Sequence, residues 1–214
     1  MAAARTAQAA RPPTRLYLVT PRLGDAQLLL HHVESALDAG EVAAVLLRVS
    51  DQDLRTAAAT LGRPVQSRGV ALLLDARPDL VASFDADGCH LMGAEALERA
   101  LPILKPDRIA GVGGLKTRHD AMIAAESGAD YVMFGEPDAA GLRPGFAAVL
   151  ERVAWWAELF EVPCVAYAAS FEEVGPLAAG GADFIALGDW AWAGEPAAAV
   201  KAAAAAIKPT EEVE

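Results

Sequence analysis

The chain has 214 residues, 54% of them hydrophobic, enough for one domain with a sizeable core and no second one. Eighteen basic against twenty-nine acidic residues give a net charge of −11, and no basic cluster interleaved with aromatics offsets it, which excludes a nucleic-acid surface. No stretch of eighteen strongly apolar, charge-free residues suggests a membrane span, and the two cysteines, Cys89 and Cys164, lie in apolar runs without metal-ligand spacing.

Residues 1–14 (MAAARTAQAARPPT) lack an apolar signal core and are expected to form a disordered tail; a cytoplasmic location follows by elimination. From residue 15 the chain alternates short apolar runs with helical patterns. LYLVT (16–20) predicts a strand, and Leu29, Val33 and Leu37 mark a helix over 25–39 that stops at Gly40. VAAVLLRV (42–49) leads into a helix capped by Ser50 or Asp51. GVALLL (69–74) precedes a short helix containing Leu80 and Val81, and DGCHL (87–91) precedes a helix over 94–101.

The second half repeats the scheme. RIAGV (108–112) is followed by a helix from Thr117 to Gly128, and ADYVMF (129–134) by a Gly/Pro-rich loop and a helix over 146–160. VPCVAYA (162–168) feeds a helix from Ser170 to the Gly180–Gly181 pair. ADFIAL (182–187) feeds GDWAWAG and an alanine-rich helix over 196–207. Eight strand–helix units with continuous apolar strands predict a parallel sheet covered by helices. The count favours closure into a compact (β/α)8 TIM barrel over residues 15–208 above an open doubly wound sheet; residues 209–214 form an acidic end. TPRLGD after the first strand holds one glycine, which weakens a dinucleotide-binding reading.

In such a barrel, chemistry gathers where strands end. Arg48 suits an anion, or a structural ion pair with Asp75 or Asp51. Asp75 and Glu95 are the carboxylates for a hard divalent ion such as magnesium, unless Asp75 pairs with Arg48 or Arg77 and Glu95 only occupies a first helical turn. His90, directly after its strand, is either a substrate contact or a packed rim imidazole. Lys116 and Arg143 can reach anionic oxygens from their loops, Arg77 after the third strand is a further substrate-binding candidate, and Gly113, Gly114, Gly135 and Gly188 leave backbone open to a ligand. Trp155 and Trp156 share a helix, so at least one is buried or in an interface; with Trp190 and Trp192, a lid after strand eight, they leave room for a homodimer.

VLLRVS (45–50), LLDARPDLVASFDADGCHLMG (73–93), IAGVGG (109–114) and GADYVMFGEP (128–137), in this order, resemble the thiamine phosphate synthase and thiazole tautomerase family. The resemblance runs from residue 16 to 189. It implies a barrel that joins a hydroxymethylpyrimidine diphosphate to a thiazole phosphate, with magnesium assisting the departure of pyrophosphate. It implies that Arg48 is the strand-two arginine and that Glu95 matches one metal aspartate, while Ala76 stands where the other belongs and Asp75 offers a displaced carboxylate. Ser50 replaces a lysine of the pattern, Leu46 a glutamine, Gly113 a serine, and Ala168–Ala169 two glycines beside the thiazole phosphate. Leu115 lies near the tautomerase histidine, Ala140 and Arg143 match a threonine and a lysine, and Asp189 stands near a phosphate-holding serine. Three functions remain open: the family's transferase; a non-catalytic or regulatory barrel holding a thiamine precursor or other small metabolite; and a small-molecule isomerase using His90.

Overall fold

The computed structural model describes residues 12–22 and 25–208. Eight parallel strands close in sequence order, the last pairing with the first. They are β1 Arg15–Val19, β2 Val42–Leu47, β3 Ala71–Asp75, β4 Gly88–Met92, β5 Ile109–Gly113, β6 Tyr131–Phe134, β7 Cys164–Ala168 and β8 Phe184–Leu187. Helices α1 Ala26–Ala39, α2 Asp51–Gln66, α3 Ala94–Leu104, α4 Arg118–Glu126, α5 Phe146–Leu159, α6 Phe171–Ala179 and α7 Pro196–Ala206 surround them. After β3 the expected short helix is a single 3-10 turn, Pro78–Leu80, and β8 runs into a second such turn, Asp189–Trp192. Most of the expected tail, residues 1–11, and the acidic end, residues 209–214, lie outside the described residues.

Two apolar layers follow from the period-two alternation of strand side chains. Leu16, Leu18, Val45, Leu47, Leu72 and Leu74 point outward and pack on helix residues such as Leu29, Leu54 and Leu61. Tyr17, Val19, Leu46, Leu73, Tyr131, Met133, Val165 and Tyr167 point inward and fill the barrel. Among the described residues, no helix is long and apolar enough to cross a membrane. Both cysteines are buried and neither is in a disulfide.

A repeated alanine–aspartate pair (86–87, 129–130, 182–183) fastens the bottom of the barrel. Asp87 accepts the N–H of Leu72 on β3, Asp130 that of Ala110 on β5 and Asp183 that of Cys164 on β7, at 2.7, 2.7 and 2.8 Å. Backbone donors at strand starts would otherwise be left over. Part of the negative charge is therefore structural.

Candidate active site

The C-terminal mouth holds a pocket of about 290 Å³ lined by Arg22, Arg48, Asp75, His90, Glu136 and Tyr167, among others. A neighbouring pocket of about 320 Å³, lined by Lys116, Arg143 and Arg152, shares Met133, Glu136 and Asp138 with it. The loops after β1, β2, β3, β5 and β6 and the inner positions of β4 and β7 thus build one two-lobed mouth.

β2 ends at Leu47, two residues earlier than the pattern suggested, so Arg48 begins the loop. Its backbone N–H donates to Thr20 Oγ1 at 2.8 Å and its Nε to the Thr20 carbonyl at 2.9 Å, which aims the guanidinium. The ion pair it makes is with Asp189, not with Asp75 or Asp51. A cation therefore does stand beside the carboxylate in the β8 loop. Ser50 is the N-cap of α2, accepting from the Asp53 N–H.

Asp75 is the last residue of β3 and faces Arg22 at 3.4 Å, a partner the sequence reading missed. Arg77 turns away from Asp75 to Asp51 and Asp79, and these carboxylates raise its pKa above the ordinary value. Ala76 adopts a left-handed φ of 54°, unusual for a residue with a Cβ, and puts only a methyl group into the mouth. Glu95, 85% exposed, pairs with Arg99 along α3 and is absent from the pocket lining. Among the described residues no three His, Cys, Asp or Glu side chains gather as a metal site. The Asp75–Glu95 pair does not fit a magnesium centre, because only Asp75 lines the mouth.

His90 lies inside β4 rather than after it, and it is buried. Its Nε2 is 2.9 Å from Glu136 Oε2 and its Nδ1 2.9 Å from the Tyr131 hydroxyl, which is 2.9 Å from that of Tyr17. Glu136 also accepts the Gly114 N–H at 2.6 Å. One assignment uses each hydrogen once: Nε2–H donates to Glu136, and Tyr131 donates to Nδ1. Burial raises the pKa of both tyrosines, which keeps them as neutral donors. Since both ring nitrogens are engaged, His90 has no free nitrogen for a ligand, and Glu136 is the network's face to the mouth.

The IAGVGG run explains how this network fits. A Cβ at Gly111 would overlap the Tyr131 ring, and one at Gly113 would overlap Glu136 Oε1. These two inward positions of β5 carry no side chain, so residues of β6 and its loop lie across β5 to reach His90 on β4. Gly135 also needs its hydrogen, with a φ of 90° and Val149 close behind. At Gly188 a Cβ would meet the Tyr167 hydroxyl.

Arg143 lies in the second lobe but points into the protein. It binds Glu173 through both guanidinium nitrogens at 2.9–3.1 Å and donates from Nε to the Gly135 carbonyl. Glu173 also accepts the Ala169 N–H at 2.8 Å. Lys116 is exposed in the same lobe. Trp190 Nε1 donates to Ala168 O and Trp192 Nε1 to Val19 O, closing the top of the barrel between β7 and β1. Trp156 is the buried member of its pair, and Trp155 lies beside it under Arg118.

The thiamine monophosphate synthase family model matches residues 16–189. The chain belongs to this family. It is 42% identical to the thiamine-phosphate synthase of Rhodospirillum centenum over 194 residues, 87% of this chain and 94% of that one. It is 37% identical to that of Hyphomonas neptunium, covering 90% and 93%. The thiamine phosphate pyrophosphorylase of Pyrococcus furiosus superposes with a TM-score of 0.73 at 23% identity, over 90% of this chain and 95% of that one, a likeness of fold.

Sequence reasoning named Arg48, Asp75 and His90 at the mouth. It did not find Arg22, Tyr17, Tyr131 or Glu173. Strand alternation marks Tyr17 and Tyr131 as inward, a usable signal. Arg22 and Glu173 lie in a loop and a helical first turn, where no pattern distinguishes an ion-paired side chain from an unpaired one.

Proposed function

We propose that this chain is a transferase of the thiamine phosphate synthase type, joining a hydroxymethylpyrimidine diphosphate to a thiazole phosphate with release of pyrophosphate. The observation that carries this reading is the arginine-bearing pocket at the mouth, in a chain that aligns with named synthases over most of its length. Among the described residues no serine, threonine, cysteine or lysine lines that pocket, so its residues suit stabilisation of departing negative charge better than attack by a side chain. Arg48, fixed on Thr20, and Arg22 are the cations for the diphosphate. The bond between the pyrimidine's methylene carbon and the diphosphate oxygen breaks, pyrophosphate carries away its electron pair, and the thiazole nitrogen's lone pair forms the new bond to that carbon. Magnesium is the cofactor the family implies; of the two carboxylates proposed for it, Asp75 alone lines the mouth, facing Arg22, so no step is assigned to the metal.

A second reading is a barrel that binds a less anionic metabolite without turnover. It is favoured by Arg48 and Arg143 already being paired with Asp189 and Glu173. Purified protein given both substrates, with and without magnesium and beside a verified synthase, separates the two. Magnesium-dependent thiamine phosphate, falling about 100-fold in Arg48→Ala, is expected, in line with loss of one charge-stabilising group. Folded protein that yields no product while the control turns over would remove the transferase reading and leave the second.

A further inference from the structure

Barrels of this class commonly hold phosphate with the loops after strands seven and eight and the N-terminus of a short extra helix. Here that place is filled from within the chain. β8 passes through Gly188 into the turn Asp189–Trp192, and the Asp189 carboxylate reaches Arg48. On the β7 side the Ala169 N–H and Arg143 are both taken by Glu173. Two acidic side chains thus sit where a ligand's phosphate oxygens would be expected.

The two are not equivalent. The Arg48 side chain is 13% exposed and anchored twice on Thr20, whereas Asp189 is 71% exposed. Glu173 is 14% exposed, Arg143 20%, and their contact is two-pronged and tied to backbone at both ends. Turning Asp189 outward costs one solvated contact, whereas removing Glu173 leaves a partly buried arginine and a backbone donor unpaired.

We infer that Asp189 is an intramolecular competitor for the anion site: Arg48 exchanges the Asp189 carboxylate for a phosphate or diphosphate oxygen of the ligand, and Asp189 takes the arginine back on release. The Arg143–Glu173 pair stays closed throughout. Asp189 is then a specificity-determining residue that weakens the hold on any phosphate at the mouth, the released pyrophosphate included. This deepens the transferase reading and rests on it for the identity of the ligand, though not for the exchange itself.

Calorimetric titration of the full chain with pyrophosphate tests it, using wild type, Asp189→Asn and the double variant Arg48→Ala/Asp189→Asn. Asp189→Asn, altered at an exposed position, is expected to bind about fivefold more tightly, and the double variant to lose that gain. A gain below twofold, or one that persists without Arg48, overturns the inference. In turnover assays the same exchange lowers KM for the phosphorylated substrate in Asp189→Asn without raising kcat. Tighter pyrophosphate binding in a protein that makes no product would sink the transferase reading alone and leave the exchange standing.

Discussion

The two sides of the barrel mouth are held together by different physics. In the loops and turns after β2, β6, β7 and β8, ion pairs do the joining: Arg48 with Asp189 and Arg143 with Glu173. Beneath them, across the barrel interior from β1 to β4, β5 and β6, a run of hydrogen bonds does so, from Tyr17 through Tyr131 and His90 to Glu136 and the Gly114 amide. The first side contains charges that a ligand can claim. The second is a buried scaffold whose donors and acceptors are all used among themselves, and it presents one carboxylate already fixed in place. A mouth built this way can change its anion affinity on one side without loosening the geometry of the other.

Removing Glu173 is the most damaging way to break the first side. Glu173→Ala is expected to lower unfolding free energy by about 3 kcal/mol, whereas Asp189→Ala changes it by less than about 0.5 kcal/mol. Urea midpoints of the two variants measure this, and equal losses would erase the distinction between the closed and the exchangeable pair. The second side is tested by Tyr131→Phe, which strands the His90 Nδ1 and the Tyr17 hydroxyl. A loss of about 2 kcal/mol is expected, again from urea midpoints, and a loss under about 0.5 kcal/mol would mean the network carries no stability.

Alkaline pH sharpens the contrast. Burial pushes the Cys89 thiol up from 9.0 to about 12, and raises Tyr17 and Tyr131 above their ordinary 10.0. Below pH 9 these groups are protonated in both folded and unfolded chains, so stability is fully present there. Above it the unfolded chain alone sheds the Cys89 proton, and stability falls by about 1.4 kcal/mol per pH unit for each such group until the folded value is passed. Unfolding curves from about pH 8 to about 10.5 should show this fall, and Cys89→Ala should delay its onset toward about pH 10, where the tyrosines begin to titrate in the unfolded chain. A fall unchanged in Cys89→Ala would place its origin outside the buried thiol.

How much of this was legible beforehand depended on the range of the interaction. The barrel was readable because strand and helix periodicities are local and recur in eight successive units. Arg48, Asp75 and His90 were found by their place at or near strand ends, though His90 lies within β4 and β2 stops one residue before Arg48. Partners were the weak point. Arg48 meets Asp189 across 141 positions of sequence, and His90 meets Glu136 across 46. Such pairings are decided by the closure of the barrel, and no spacing along the chain encodes them. For Glu95 the sequence left open a metal carboxylate or a residue that only occupies a first helical turn, and the structure shows the second, with its side chain turned to solvent and paired with Arg99.

The close fit between β5 and Glu136 also bears on how this chain could have changed over time. A side chain at position 113 and the present Glu136 would claim the same volume, so the order of substitution matters. Glycine at 113 has to be in place before a glutamate can sit as Glu136 does, and a side chain introduced at 113 now would displace that glutamate and with it the support of His90. The pair behaves as a one-way ratchet: glycine tolerates many residues at 136, whereas the glutamate, once there, holds 113 to glycine, and relatives of this chain that carry the glutamate should carry the glycine as well.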